Sequence, residues 1–359
     1  MTQKEREERR KGRKEKRLES YINCVSGDGM NESQIEKIIF GNLPLLGIYY
    51  QGTKRDRECR IKFSNKDEMK KVVGVALRYR IRCFAASSHD FNVLAPTYLE
   101  AVNEVAEEKE SEVRLVPCLG IPLEFRGEKI DDYRRWATYL DYETKNFGDV
   151  RERYLEDPVL NCRFRWRESL RRAKPYKLRE LERELKVNWK KWEDRLSKFS
   201  DYDLAWVEPG SESDLLAISR MDLLEELVDR IHEHRHRILL GVHHAGASIP
   251  LIEGERVRID GYVTPINRLG VMMFPTQKEA ETMIGEARRG GKLIIGIKPL
   301  AGGRIEPKEA LSYVYERTEA NSCMIGVSSV KEAEEDFQIA RNVIERGSIG
   351  RRSRLKLKE

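Results

Sequence analysis

The sequence predicts an α/β protein built as a closed (β/α)8 barrel with a helical insertion between its third and fourth strands. Three observations carry that prediction. Eight short apolar runs, rich in β-branched residues, each end in Gly, Pro or a polar residue. Most are followed by a stretch of helical periodicity, an alternation that a parallel sheet with helical crossovers satisfies. The chain has 359 residues, and a typical barrel takes roughly 250, which leaves room for one large insertion.

In order, the runs are 43–52 (LPLLGIYYQG), 81–88 (IRCFAASS), 115–125 (LVPCLGIPLEF), 203–209 (DLAWVEP), 238–246 (ILLGVHHAG), 260–267 (DGYVTPIN), 293–303 (LIIGIKPLAGG) and 323–329 (CMIGVSS). Helical periodicity covers 66–79, 96–109, 221–234, 277–289, 307–317 and 331–346. An open doubly wound sheet would want G-x-G-x-x-G after its first strand, which LGIYYQG does not supply. The interval 126–200 is too long for one helix and two turns, and it holds Trp136, Trp166, Trp189 and Trp192 of the five tryptophans. Leu178, Leu181, Leu185, Trp189, Trp192 and Leu196, three or four apart, read as one helical face. An insertion after a strand emerges at the mouth of a barrel, so a lid or a dimerisation arm is expected, with plain packing on the outer wall as the simpler use of the stripe. The domain plan is a basic N-terminal extension over 1–37, the barrel over 38–346 with 126–200 as insertion or lid, and a basic tail over 347–359.

Charged residues make up 36% of the chain and only five Gln occur, the surface composition of a heat-adapted protein. The six cysteines are scattered without a C-x-x-C pair, so neither a zinc nor an iron–sulfur site is signalled and a reduced, cytoplasmic setting is expected. No apolar run approaches the roughly 20 residues of a membrane span. The net charge of +6 is concentrated in KEREERRKGRKEKR at the front and RRSRLKLKE at the back. Solvated tails are the plain reading, and salt-sensitive contact with RNA or an acidic membrane surface is the sharper one.

The stretch KLIIGIKPLAGGRI, with its strand running into a KPL-x-x-G-like turn, and CMIGVSS followed by KEAEEDF, resemble the seventh and eighth strands of the aldo-keto reductase superfamily. DLAWVEP resembles that family's fourth strand, DGYVTPINRLG its sixth, and VVGVALRYRIRCFAAS the approach to its D-T-A turn. The resemblance implies a (β/α)8 barrel and, in ordinary members, NADP-dependent carbonyl reduction by an Asp/Tyr/Lys/His tetrad. That register puts Ala85 at the position of the Asp, Asp90 or Phe91 near the Tyr, LGIPLEF in place of the Lys strand and Glu208 at the His, so all four are missing. Carbonyl reduction of this kind needs a tuned hydroxyl to protonate the developing oxyanion. The basic turn that grips the adenosine phosphate in many members is absent too, Ser328 and Ser329 being followed by Val330.

The expected strand ends bring other polar groups to one mouth. The catalytic candidates are Glu124, Glu208, His89, His244 and Lys298, an acid–base set of carboxylates, imidazoles and one amine. Gln51, Ser88, Arg126, Asn267, Gly302, Gly303 and Ser328 are candidates for binding substrate. Glu124 and Glu208 serve equally as partners of Arg126 and Lys298 in an ion network. Adjacent His243 and His244 point to opposite sides of a strand, so one faces inward, and with Glu124 and Glu208 an inward His244 would suit a divalent metal. Lys298, followed by Pro299 and the Gly302–Gly303 turn, could clamp an anion or, with a lowered pKa, form an imine. His232, His234 and His236 sit at the opposite end of the barrel and read as surface residues.

The expected function is therefore a lyase or isomerase acting beside a carbonyl of a phosphorylated or carboxylated substrate. Two other readings stand beside it. One is an NADP-dependent oxidoreductase with substituted catalytic groups; the other is a non-catalytic barrel that binds a protein or RNA through 126–200 and the basic ends, and self-association through 126–200 is a separate expectation.

Overall fold

The computed structural model describes residues 35–356, with side chains described up to residue 347. Most of the basic extension therefore lies outside the described residues, and the last helix, Val330–Lys356, runs on into the basic tail.

Eleven strands form among the described residues: β1 (Ile38–Gly41), β2 (Cys83–Ser87), β3 (Arg114–Leu119), β4 (Leu123–Phe125), β5 (Glu128–Lys129), β6 (Leu185–Val187), β7 (Glu208–Pro209), β8 (Leu239–Gly241), β9 (Gly261–Pro265), β10 (Leu293–Ile297) and β11 (Ser322–Gly326). Eight of them make one all-parallel sheet in the order β7-β3-β2-β1-β11-β10-β9-β8. A parallel bridge between Val207 and Ile238 joins its two ends. There the Val207 N–H donates to Arg237 O at 2.8 Å and the Leu239 N–H to Val207 O at 3.1 Å. The sheet is thus closed, and the (β/α)8 barrel expected from the sequence is the fold.

Alternation along the strands separates two cores. Ile39, Cys83, Ala85, Val116, Trp206, Leu239, Val263, Ile295 and Met324 fill the barrel interior. Their neighbours Phe40, Phe84, Leu115, Leu240, Tyr262, Ile294 and Ile325 face outward into the layer shared with the helices. Gly261 marks how closely β9 approaches β10, since a Cβ there would lie 2.0 Å from Leu293 O.

The first strand is not where the apolar run placed it. It is the short IIFG of Ile38–Gly41, and the run after it begins as a 3-10 turn, Leu43–Leu46. Pro44 has no N–H to give a ladder, and Gly47 closes the turn in the left-handed region at φ 75°. The third run is also divided. β3 ends at Leu119, and Leu123–Phe125 belongs to a separate antiparallel sheet in the order β5-β4-β6.

The insertion starts from that small sheet. It contains helices Asp132–Phe147, Arg151–Glu156 and Trp166–Arg172. The stripe from Leu178 to Leu196 is a helix, a strand and a second helix (Leu178–Glu184, β6, Trp189–Ser197), where the spacing predicts one helix. β6 pairs with β4, so an edge outside the helix overrides its local periodicity. The buried Trp136, Tyr154, Trp166, Leu181 and Trp192 pack within the same cluster as the barrel's outer layer.

Candidate active site

The inward parity that gives Val116, Trp206 and Leu239 to the interior continues to Cys118, Glu208, Gly241 and His243 at the mouth. Cys118 and Glu208 are register partners on β3 and β7. Glu208 is buried, and the Cys118 thiol bonds to its carboxyl. Gly241 keeps the space beside it, since a Cβ there would meet Glu208 Oε1 at 3.0 Å and Pro209 O at 2.8 Å.

Lys298 follows the last residue of β10 in the left-handed region, φ 54°, which turns the chain out of the strand. Its Nζ lies 3.2 Å from His243 Nε2 and 5.4 Å from the centre of the Tyr50 ring. Burial lowers the ammonium pKa to about 8 against the pull of Glu208, Cys118 and Asp157. Burial likewise raises Glu208 to about 7, opposed by the Cys118 hydrogen bond and the Lys298 charge. Burial and then the Lys298 charge hold His243 well below its usual 6.5, so its imidazole is neutral and Nε2 accepts from the lysine. Tyr50 is raised by burial to about 12 and keeps its proton.

The insertion lies over this mouth. Its Asp157 carboxylate accepts from the Met272 N–H at 2.7 Å, as well as from the N–H groups of Val159 and Leu160. Arg153 donates to Gly270 O, Met273 O and Pro275 O. Arg135 joins Asp132 at 2.7 Å to Glu212, in the loop after β7, at 2.8 Å. A cavity of about 190 Å³ remains beneath, with Tyr50, Asp56, His243, Met272 and Lys298 meeting Val159, Leu160, Cys162 and Arg163 of the insertion.

Of the residues singled out in the sequence, Lys298 lines this cavity, and Glu208, which is not part of its wall, is near enough for the two charges to act on each other. His244 does not line it. It heads the helix Ala245–Gly254 and turns into the underside of the insertion. Its Nδ1 is 2.8 Å from Glu143 Oε1, and Tyr154 donates to the other carboxylate oxygen. Glu143 is 1% and His244 2% exposed, with the ring against Tyr139 at 4.0 Å. Asp214, also buried, accepts from Ser248 Oγ at 2.6 Å and the His243 N–H at 2.8 Å, which orients the His243–His244 turn. The inward imidazole is therefore His243, as counting in twos from Leu239 would have selected.

Glu124 sits on β4 in the small sheet, accepting from Asn188 Nδ2 at 2.8 Å, because the chain leaves the barrel at Leu119. Arg126 is an exposed turn residue 3.8 Å from Glu180, so it does not pair with Glu124 at the mouth. His89 lies on the rim 3.9 Å from Asp194. The neighbouring Asp90, which burial alone would raise, is lowered to about 2 by the Arg195 guanidinium bonded to it and by Ser88. Asn267 spends both ends of its amide on Val271 within its own loop. Gln51 packs beside Gly303 and the Tyr50 carbonyl beside Gly302, on the outer rim.

The metal set Glu124, Glu208 and His244 is not brought together, and among the described residues no group of three His, Cys, Asp or Glu converges on a cation position. At Ser328 the donors a dinucleotide phosphate would use are engaged by the chain itself. Glu332 accepts from the Ser328 N–H at 2.7 Å and Oγ–H at 2.8 Å, while Arg55 and Lys62 reach Ser328 at 3.0 and 2.8 Å. No described helix is long and apolar enough to cross a membrane.

No protein-family model matches the chain, and no curated protein does. Among solved structures it is similar to a Pseudomonas aeruginosa protein assigned as an aldo-keto reductase, at 12% identity and a TM-score of 0.46 over 86% of this chain and 90% of that one. It is also similar to an aldo/keto reductase from Brucella melitensis, at 10% identity and a TM-score of 0.38 over 86% of this chain and 93% of that one. A likeness this loose leaves the reaction to be argued from the residues at the mouth.

Proposed function

We propose that the chain is a lyase or isomerase acting beside the carbonyl of a small anionic substrate, with Lys298 as an imine-forming amine. The observation that carries this reading is the partly buried Lys298, which lines the cavity with its Nζ 3.2 Å from a neutral His243 Nε2. With a pKa of about 8, a substantial share of the lysine is free amine near neutral pH, which an exposed lysine is not. We assign the acid–base role to Glu208, which near 7 is populated in both protonation states and whose charge acts on Lys298, although it stands outside the cavity wall.

The amine adds to the carbonyl carbon, and one of its protons passes to the oxygen. Glu208 donates a second proton, the oxygen leaves as water, and an iminium remains on Nζ. The Glu208 carboxylate then takes the proton on the neighbouring carbon, or takes the hydroxyl proton one carbon further out so that the adjoining carbon–carbon bond breaks and that fragment leaves as an aldehyde. In either case the pair of the broken bond forms a C=C bond and the C=N pair moves onto Nζ, giving the enamine. Reprotonation of the enamine and attack by water restore the lysine. His243 accepts an N–H from Nζ and keeps the amine aimed at the cavity.

Borohydride added with a panel of oxo acids and sugar phosphates tests this, since it reduces an iminium to a stable secondary amine. Peptide mapping should find the adduct on Lys298 and none in Lys298→Met. Absence of an adduct with every probe, together with unchanged ligand binding by the Met variant, would remove Lys298 from the site. The oxidoreductase reading has no comparable support, given Glu332 at Ser328.

A further inference from the structure

We infer that the substrate is a short 2-oxo monocarboxylic acid whose carboxylate is gripped by Arg163, a residue the insertion supplies to the cavity; this rests on the imine-forming role of Lys298. Size is the first argument. Sites for drug-sized ligands run to roughly 300–1,000 Å³, and an apolar cavity of about 150 Å³ holds benzene. A cavity of about 190 Å³ therefore suits a molecule of roughly six to eight non-hydrogen atoms. A three- or four-carbon oxo acid fills that volume, whereas a phosphorylated sugar would extend beyond it.

Charge placement is the second argument. Arg163 lines the cavity, and its charge bears on both Lys298 and His243. The guanidinium lies over the rings of Trp136 at 5.2 Å and Trp166 at 5.6 Å, and one nitrogen, Nη1, is bonded to Asp132. Those contacts fix its plane. Among the described residues Nε and Nη2 have no hydrogen-bond partner, which leaves donors in the fork geometry that matches a carboxylate. The one lining carboxylate, Asp56, is turned to the Tyr49 N–H at 2.7 Å. Ile48, Val159, Leu160 and Met272 give the wall an apolar stretch that accepts a methyl or ethyl tail, with Tyr50 and Cys162 completing the lining. Such an acid sets its carbonyl at Lys298, its carboxylate at Arg163 and its alkyl end against Leu160.

The test uses the full chain and borohydride trapping with pyruvate, 2-oxobutanoate, dihydroxyacetone phosphate and acetone. The first two should label Lys298, and dihydroxyacetone phosphate should not. Arg163→Gln should slow trapping of pyruvate below saturation by about tenfold or more beyond any change seen with acetone, which has no carboxylate and registers only the effect on Lys298 itself. Labelling by dihydroxyacetone phosphate in preference to pyruvate would overturn the substrate class while leaving the imine in place. An equal loss with pyruvate and acetone would show that Arg163 acts only by packing the insertion, and would overturn its anchoring role. No label from any probe would overturn the imine, and this inference with it.

Discussion

Replacing Glu208 by Gln should remove a fall in stability that the native protein shows between about pH 5 and 7. In the folded chain the carboxyl is raised from 4.5 to about 7, so across that window the unfolded state has released a proton that the folded state still holds. Fewer protons on the unfolded side means stability decreases as pH rises, and the contribution present below pH 4.5 is gone above about 7. Each unit corresponds to about 1.4 kcal/mol, which makes the total about 3 kcal/mol for a group this buried. Lys298 works in the opposite direction. Lowered from 10.5 to about 8, it has lost a proton that the unfolded chain keeps, so stability recovers as pH rises from about 8 to 10.5. The two together place a stability minimum between about pH 7 and 8, where both groups are charged in the folded chain. Urea midpoints at pH 5, 7, 8 and 10 would be compared for native protein, Glu208→Gln and Lys298→Met. The Gln variant should gain on the native protein between pH 5 and 7, and the Met variant should lack the alkaline recovery. A constant difference between native protein and Glu208→Gln across pH 5 to 7 would refute the burial of this carboxyl.

Three further outcomes are expected. Glu143→Ala leaves His244 Nδ1 and the Tyr154 hydroxyl buried without their shared acceptor and should cost about 3–5 kcal/mol by urea unfolding, with much of that recovered when Glu143→Leu, Tyr154→Phe and His244→Phe are combined. Gly261→Ala drives a Cβ to within 2.0 Å of Leu293 O across the β9–β10 pair and should cost about 3 kcal/mol or the yield of soluble protein, read by circular dichroism and urea midpoint. Asp157→Ala frees Met272, Val159 and Leu160, all cavity walls; it should lower stability by about 2 kcal/mol and slow pyruvate trapping on Lys298, and an unchanged trapping rate would separate the wall from the site.

Alternation and breakers made the barrel legible, because a strand whose two faces meet different cores writes its period into the chain. They failed where a strand is short or a partner lies outside the run. Ile38–Gly41 was too brief to compete with the apolar LPLLGIYY, whose Pro44 and Gly47 turn it away from the sheet. The stripe around Leu185 reads as helix until β4 offers an edge. Glu124 was carried to the mouth by treating 115–125 as one strand, although Gly120 and Pro122 interrupt it. His243 was recoverable, since parity with Leu239 selects it, but that parity holds only where the strand truly begins.

Local sequence by itself determined the barrel, the presence of a helical insertion, and Lys298 and Glu208 as strand-end groups, because each depends on neighbours a few residues away. Only the tertiary structure decided that His243 lies beside Lys298, that His244 belongs to Glu143 and Tyr154, and that Arg163 closes the cavity. Those meetings join residues 55 to 101 positions apart, or across the docked insertion, and depend on how the closed sheet aims its strand ends and on what the insertion buries. Burial, which shifts the lysine and the carboxylate toward neutrality, is a property of that assembly and is written in no single stretch of chain.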